Sequence, residues 1–184
     1  TESLYSTARQ HLKNQFQDVS MYLIKGGQIK MCYMLENQMK PEFKMVLRKA
    51  GYEGAIYRRQ FDEKEVYPVA GLVLYWGKGH WRAPRSLKEL VMDKLADDTV
   101  SSTDHYIDDF HLQVFEMAHL PKETRNRFQS DMRVVVDYLA EGGDYQPGNQ
   151  VIKHPEAFLQ LIFALNGDIR YEEMIDEVKD KEAV

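Results

Sequence analysis

DVSMYLIKGGQIKMCYMLENQ, Asp18 to Gln38, is the stretch on which the fold turns. Ser20 to Ile24 and Ile29 to Leu35 are rich in aromatic, branched and large apolar side chains, and Lys25-Gly26-Gly27-Gln28 places two glycines between them. That pattern predicts an antiparallel hairpin. The start of the first strand then returns beside the end of the second. Asp18 stands at the hairpin's entrance and Glu36-Asn37-Gln38 at its exit, so two acids separated in sequence become neighbours in space. Strand periodicity turns Glu36 and Gln38 to one side and Asn37 to the other. Two carboxylates and a carbonyl converging in this way suit a hard divalent cation, which prefers oxygen ligands.

The remaining chain supplies a core around this hairpin. A length of 184 residues, 43% of them apolar and 11% aromatic, fits one folded domain with room for an appendage and excludes a disordered chain. Leu4, Ala8, Leu12 and Phe16 predict an amphipathic helix over Thr1–Gln17. Pro41 and Glu42 open a second helix whose apolar stripe is Phe43, Val46, Leu47 and Ala50 and which Gly51 ends; a short helical or irregular stretch follows over Tyr52–Lys64. Val66–Trp76, VYPVAGLVLYW, reads as a central strand covered on both faces. Ser86 caps a short helix over Ser86–Leu95 with Glu89 at its third position. Further on, Tyr106–Phe115 reads as a strand, Pro121–Ala140 as one long helix, Pro155–Leu165 as an apolar helix stopped by Asn166-Gly167, and residues 168–184 as a charged helix.

Several function classes are poorly served by this composition. The single cysteine, Cys32, excludes an internal disulfide and any thiolate cluster, and suits a reducing compartment. No serine sits in a Gly-x-Ser-x-Gly turn, and the six histidines lack a His-Glu-x-x-His pair, which argues against zinc hydrolysis. Asp104, Asp108 and Asp109 lack calcium-loop spacing and read as surface. There is neither an 18-residue apolar run nor a signal-like N-terminus, so the expectation is a soluble, cytoplasmic protein. A start at Thr1 leaves room for residues upstream in the native chain.

Charge is unevenly spread beneath a net value of -5. Residues 40–88 hold 11 Lys or Arg against 5 Asp or Glu, whereas residues 89–184 hold 9 against 21. A basic zone directly after the acidic pair can draw in a polyanion through its phosphates, although a solvated helix surface would look the same. Lys40, Lys44, Arg48, Arg82 and Arg85 are the candidate phosphate contacts. Trp81, in the loop that leaves the Val66–Trp76 strand, either closes the core edge or stacks on a ligand.

Asp18, the Gly-Gly turn, Glu36-Asn37-Gln38, PVAGLVLYWG at 68–77, Trp81 and Pro84-Arg85-Ser86-Leu87 together resemble the Rpn family of recombination-promoting nucleases, also catalogued as YhgA-like putative transposases. The resemblance covers roughly residues 10–140, and its most specific part is the phrase at 68–87. It implies a PD-(D/E)XK nuclease-like α/β fold, with a restriction-endonuclease-like core whose central mixed sheet is flanked by helices. Residues 1–140 would form that domain, N-terminally truncated or with its leading helix displaced, and 141–184 a helical extension. It further implies a Mg2+- or Mn2+-dependent DNA endonuclease in which Asp18 and Glu36 hold the metal with the Asn37 backbone carbonyl, and Gln38 takes the place of the usual lysine. An amide cannot supply lysine's charge. The alternative is therefore a catalytically inactive nuclease-fold protein that binds DNA or a protein partner. By superfamily analogy a homodimer would suit cleavage of two strands.

Overall fold

The computed structural model describes residues 19–97, 101–146, 148–171, 173–175 and 178. The helix expected over Thr1–Gln17, and Asp18 itself, lie outside the described residues. The protein is a mixed α/β molecule with a four-stranded sheet, and the chain divides into two compact units. One comprises residues up to Tyr75 together with Trp81–Phe115; the other comprises Trp76–His80 and Glu116–Val184.

The sheet order is β1 (Val19–Lys25), β2 (Gln28–Gln38), β3 (Val69–Tyr75) and β4 (Gln113–Glu116). The β1–β2 hairpin forms as its sequence dictates. Gly26 and Gly27 take φ of 61° and 76°, the left-handed values that a tight two-residue turn needs and that other residues resist. β1 is exposed along its whole length, but from Met31 onward β2 alternates between half-buried and buried side chains. Cys32, Met34, Glu36 and Gln38 share its buried face.

Helix α1 (Met45–Arg59) connects β2 to the parallel strand β3 and covers that face. It differs from the sequence expectation at both ends. It begins at Met45 rather than Pro41, and it runs through Gly51 without interruption. An interior glycine costs a helix about 1 kcal/mol. Here Gly51 and Gly54 lie on the exposed side while Tyr52 and Ile56 pack on Cys32 and Met34, so burial offsets that cost. Phe43 and Leu47 are exposed and do not join the stripe; Met45 and Val46 enter the core with Val73, Tyr75, Trp81 and Leu112. Complete burial of Met45 stabilises by about 1.5–3 kcal/mol.

α1 also completes the edge of β3. The Tyr67, Val69 and Gly71 amides donate to Gln60 Oε1 at 2.8 Å, the Tyr57 hydroxyl at 3.0 Å and Glu53 Oε1 at 2.7 Å. Residues 53, 57 and 60 lie on one side of a helix, and alternate amides of a strand point one way, so three side chains take the place of a neighbouring strand. Gly71 permits the approach. A Cβ there would stand 2.9 Å from Glu53 Oε1 and 3.0 Å from Lys49 Cε.

The Ser86 cap forms as expected on α2 (Leu87–Leu90), with Glu89 N donating to Ser86 Oγ at 3.2 Å; Val91 then separates α2 from α3 (Met92–Leu95). Most of the strand expected over Tyr106–Phe115 does not form. Residues 104–106 make a 3-10 turn, Tyr106 is exposed, and only Gln113–Glu116 extends. Asp109 accepts the Lys88 amide at 2.9 Å, and that hydrogen bond holds its carboxyl below the usual carboxylate range. It serves α2's N-terminus rather than an acidic cluster.

In the second unit the long helix expected from Pro121 is broken into α4 (Lys122–Arg125) and α5 (Met132–Glu141). Twelve residues on a straight helix would hold Arg125 and Asp137 about 18 Å apart, yet they form an ion pair. The Asp131 carboxylate at the break accepts the Lys153 and His154 amides at 3.0 and 2.7 Å. α6 (Pro155–Asn166) begins and stops where the sequence predicts, with Pro155 in its first turn and Gly167 at φ 70°. Among the described residues no helix is long and apolar enough to cross a membrane.

Candidate functional site

The end of β2 brings three polar side chains together on a face that is otherwise apolar. Glu36 is 3% exposed and Gln38 8%, two positions apart and therefore on the same side. Arg48 reaches down from the first turns of α1, placing Nη2 3.2 Å from Glu36 Oε2. Gln38 Nε2 lies 3.5 Å from that oxygen. Desolvation penalises a carboxylate, and a guanidinium at hydrogen-bond distance offsets much of that penalty. Arg48 is half-buried, so the pair opens toward solvent on the arginine's side.

The other expected site residues distribute around this cluster. Asp18 lies outside the described residues, but Val19, next to it in sequence, pairs with Leu35, next to Glu36. The hairpin register thus carries the entrance of β1 to the exit of β2. Asn37 is half-buried on the opposite face from Glu36, while its backbone pairs with Leu74. Lys40, Lys44 and Arg82 are exposed, and Arg85 is half-buried. Arg85 also ties its segment to the strand region: its carbonyl accepts the Leu112 amide at 2.6 Å, and its own amide donates to Glu89. Trp81 is 6% exposed and meets the Tyr75 ring edge-on at 5.4 Å, so it closes the core. Burial pushes the Cys32 thiol up from its ordinary value, in keeping with an unreactive core residue.

The donors at this site suit a small hard cation. The Glu36 carboxylate, the Gln38 amide oxygen and the Asn37 carbonyl all offer oxygen, the preference of Mg2+ and Mn2+ over softer ions. One carboxylate stands among the described donors, and Asp18 is the second that sequence assigns. The positive charge that Gln38 cannot carry is present three helical turns from the C-terminal end of α1, on Arg48.

A second arrangement went unseen in the sequence. His80, Glu116 and His119 each offer a ligand atom, all within 4.8 Å of one another, a cluster that can hold a metal ion. Among the described residues it is the one such group of three or more His, Cys, Asp or Glu. The available signal was Glu116-Met-Ala-His119, two ligand types three positions apart; His80, 36 residues upstream of Glu116, gives no local hint. By contrast, an apolar cavity beside α5 and α6 is lined by Val134, Tyr138, Phe158 and Ile162 among others, with no carboxylate or histidine among its described walls.

A family model described as "Putative transposase, YhgA-like" matches residues 5–140. No curated protein and no solved structure matches the chain.

Proposed function

The chain belongs to the YhgA-like putative transposase family, and from that premise we propose that it is a metal-dependent DNA endonuclease hydrolysing phosphodiester bonds with Mg2+ or Mn2+. Glu36 and Asp18 are the proposed carboxylate ligands, joined by the backbone carbonyl of Asn37. A divalent ion held there would supply an activated water and stabilise the charge that develops on the scissile phosphate. Gln38 orients that water or a phosphate oxygen. Arg48, on the same Glu36 oxygen that Gln38 faces, contributes the positive charge that the family's usual lysine would have carried. Lys40, Lys44, Arg82 and Arg85 are the proposed contacts to the DNA backbone.

One observation carries this reading: Glu36 is 3% exposed on the strand face that also buries Cys32 and Met34. Arg48 and Gln38 converge on one oxygen of that carboxylate at the end of the strand, and this convergence, rather than burial of the pair alone, supports a role in chemistry. The second reading, a catalytically silent DNA- or protein-binding relative, draws on the same contact, since Arg48 already satisfies the Glu36 charge.

Plasmid cleavage with and without Mg2+ or Mn2+, by wild type beside Glu36→Gln, separates the readings. Loss of a metal ligand should reduce cleavage by roughly a thousandfold, several kcal/mol of transition-state stabilisation, with the circular-dichroism spectrum unchanged. Equal cleavage by the variant would reject the site. Salt-sensitive DNA binding by a wild type that cuts with neither ion would establish the silent relative instead.

A further inference from the structure

We propose that His80, Glu116 and His119 form a binding site for a zinc-class transition metal ion, chemically separate from the oxygen site at Glu36. The donor set makes the distinction. Two imidazole nitrogens and one carboxylate suit Zn2+ and its borderline neighbours, whereas Mg2+ prefers an all-oxygen octahedron and keeps several waters.

Three observations within the second compact unit support the site. His80 Nδ1 donates to Glu116 Oε2 at 2.7 Å, a proton that an incoming ion would displace. His119 Nε2 is 3.0 Å from the Lys78 carbonyl oxygen, which can only accept; that nitrogen therefore carries its proton and leaves Nδ1 with a free lone pair. A backbone carbonyl fixing the tautomer of a histidine in this way is the usual support of a metal-ligating imidazole. Finally, the His80 and His119 rings stack with centroids 4.0 Å apart and planes 26° from parallel, which holds both imidazoles at one place beside Glu116.

An ion bonded at about 2.0–2.1 Å to tetrahedral ligands needs them about 3.3 Å apart. His80 Nδ1 and Glu116 Oε2 are 2.7 Å apart and the three ligand atoms all lie within 4.8 Å of one another, so the site is already near that spacing. The His80 side chain is 68% exposed, which leaves a fourth position open to water. The ion would clip the loop leaving β3 to the 3-10 turn Met117–His119 that follows β4.

The test is calorimetric titration of the chelator-stripped chain with Zn2+ in excess Mg2+, with visible absorption of the Co2+ form as a readout of coordination. The expected result is one ion per chain with a tetrahedral Co2+ spectrum. His80→Ala and His119→Ala should each weaken binding by at least about tenfold, since even groups that merely orient a ligand are worth about 10–100-fold. Glu36→Gln should bind as wild type does, which keeps the result independent of the nuclease assignment. His80 is exposed, so its variant tests the site even where His119→Ala fails to fold. Absence of Zn2+ binding, displacement by Mg2+, or undiminished affinity in His80→Ala would overturn the proposal.

Discussion

Two arginines in this protein pair with carboxylates, and they do so in different ways. Arg125, in the second unit, has a side chain only 10% exposed, and it pairs with Asp137 and, at 3.1 Å, with Glu141. Asp137 is further held by Arg133 one turn before it. Every member of that network sits on α4 or α5, and together they pin the two helices across the break between them. Arg48, in the first unit, is 24% exposed and reaches Glu36 at the end of a strand, where Gln38 points at the same oxygen. The first arrangement is a brace with its charges divided among helices. The second joins a buried carboxylate at the end of a strand to a half-buried arginine on the next helix. Burial of an ion pair alone does not separate structure from chemistry; the connectivity around it does.

Removing each arginine sharpens that contrast. Arg125→Met removes a buried guanidinium from half-buried Asp137 and exposed Glu141 and should destabilise the fold by about 3 kcal/mol or more in urea denaturation. A loss near zero would mean that Arg133 alone sustains Asp137, and the brace would be no brace. Arg48→Met should cost less, about 1–3 kcal/mol, because one carboxylate is left and water can approach from the arginine's side. Its larger signature should be in DNA cleavage, with partial recovery in Arg48→Lys. If the two Arg48 variants cleave alike, the charge is not what the site uses.

The smallest expected effect concerns acid. The Lys153 amide, and after it the His154 amide, hold the Asp131 carboxyl below the usual carboxylate range. A carboxyl with a lowered native pKa adds stability that is fully present above its unfolded value of about 3.9 and is lost as pH falls through the native one. Asp131→Asn should therefore lose that increment at neutral pH and approach wild type at acid pH, so that the acid limb of stability against pH is flattened. An acid limb as steep as that of wild type would assign the slope to other groups.

Much of the fold was legible because it depends on local chemistry. The Gly26-Gly27 turn, the alternation of β2, the apolar run that becomes β3, the Ser86–Glu89 cap and the Gly167 stop all follow from residues within a few positions of one another. The resemblance carried by residues 68–87 is borne out by the family match. Misreadings arose where tertiary contacts outweighed propensity. Gly51 did not end α1, because the sheet beneath rewards its continuation; an unbroken helix from Pro121 gave way to a fold-back in which Arg125 meets Asp137; and strand-like Tyr106–Phe115 became mostly turn once Asp109 was drawn to the Lys88 amide.

The sequence by itself determined the hairpin, its Gly-Gly turn and, through a period of two, that Glu36 and Gln38 share one side, whereas a register shift between Leu23 and Ile24, which the turn does not encode, sets the pairing of Val19 with Leu35. Only the tertiary structure decided that Arg48 reaches Glu36 and that His80 meets Glu116 and His119. Those contacts span 12 and 36 residues, and no local periodicity encodes a meeting made by the packing of separate elements.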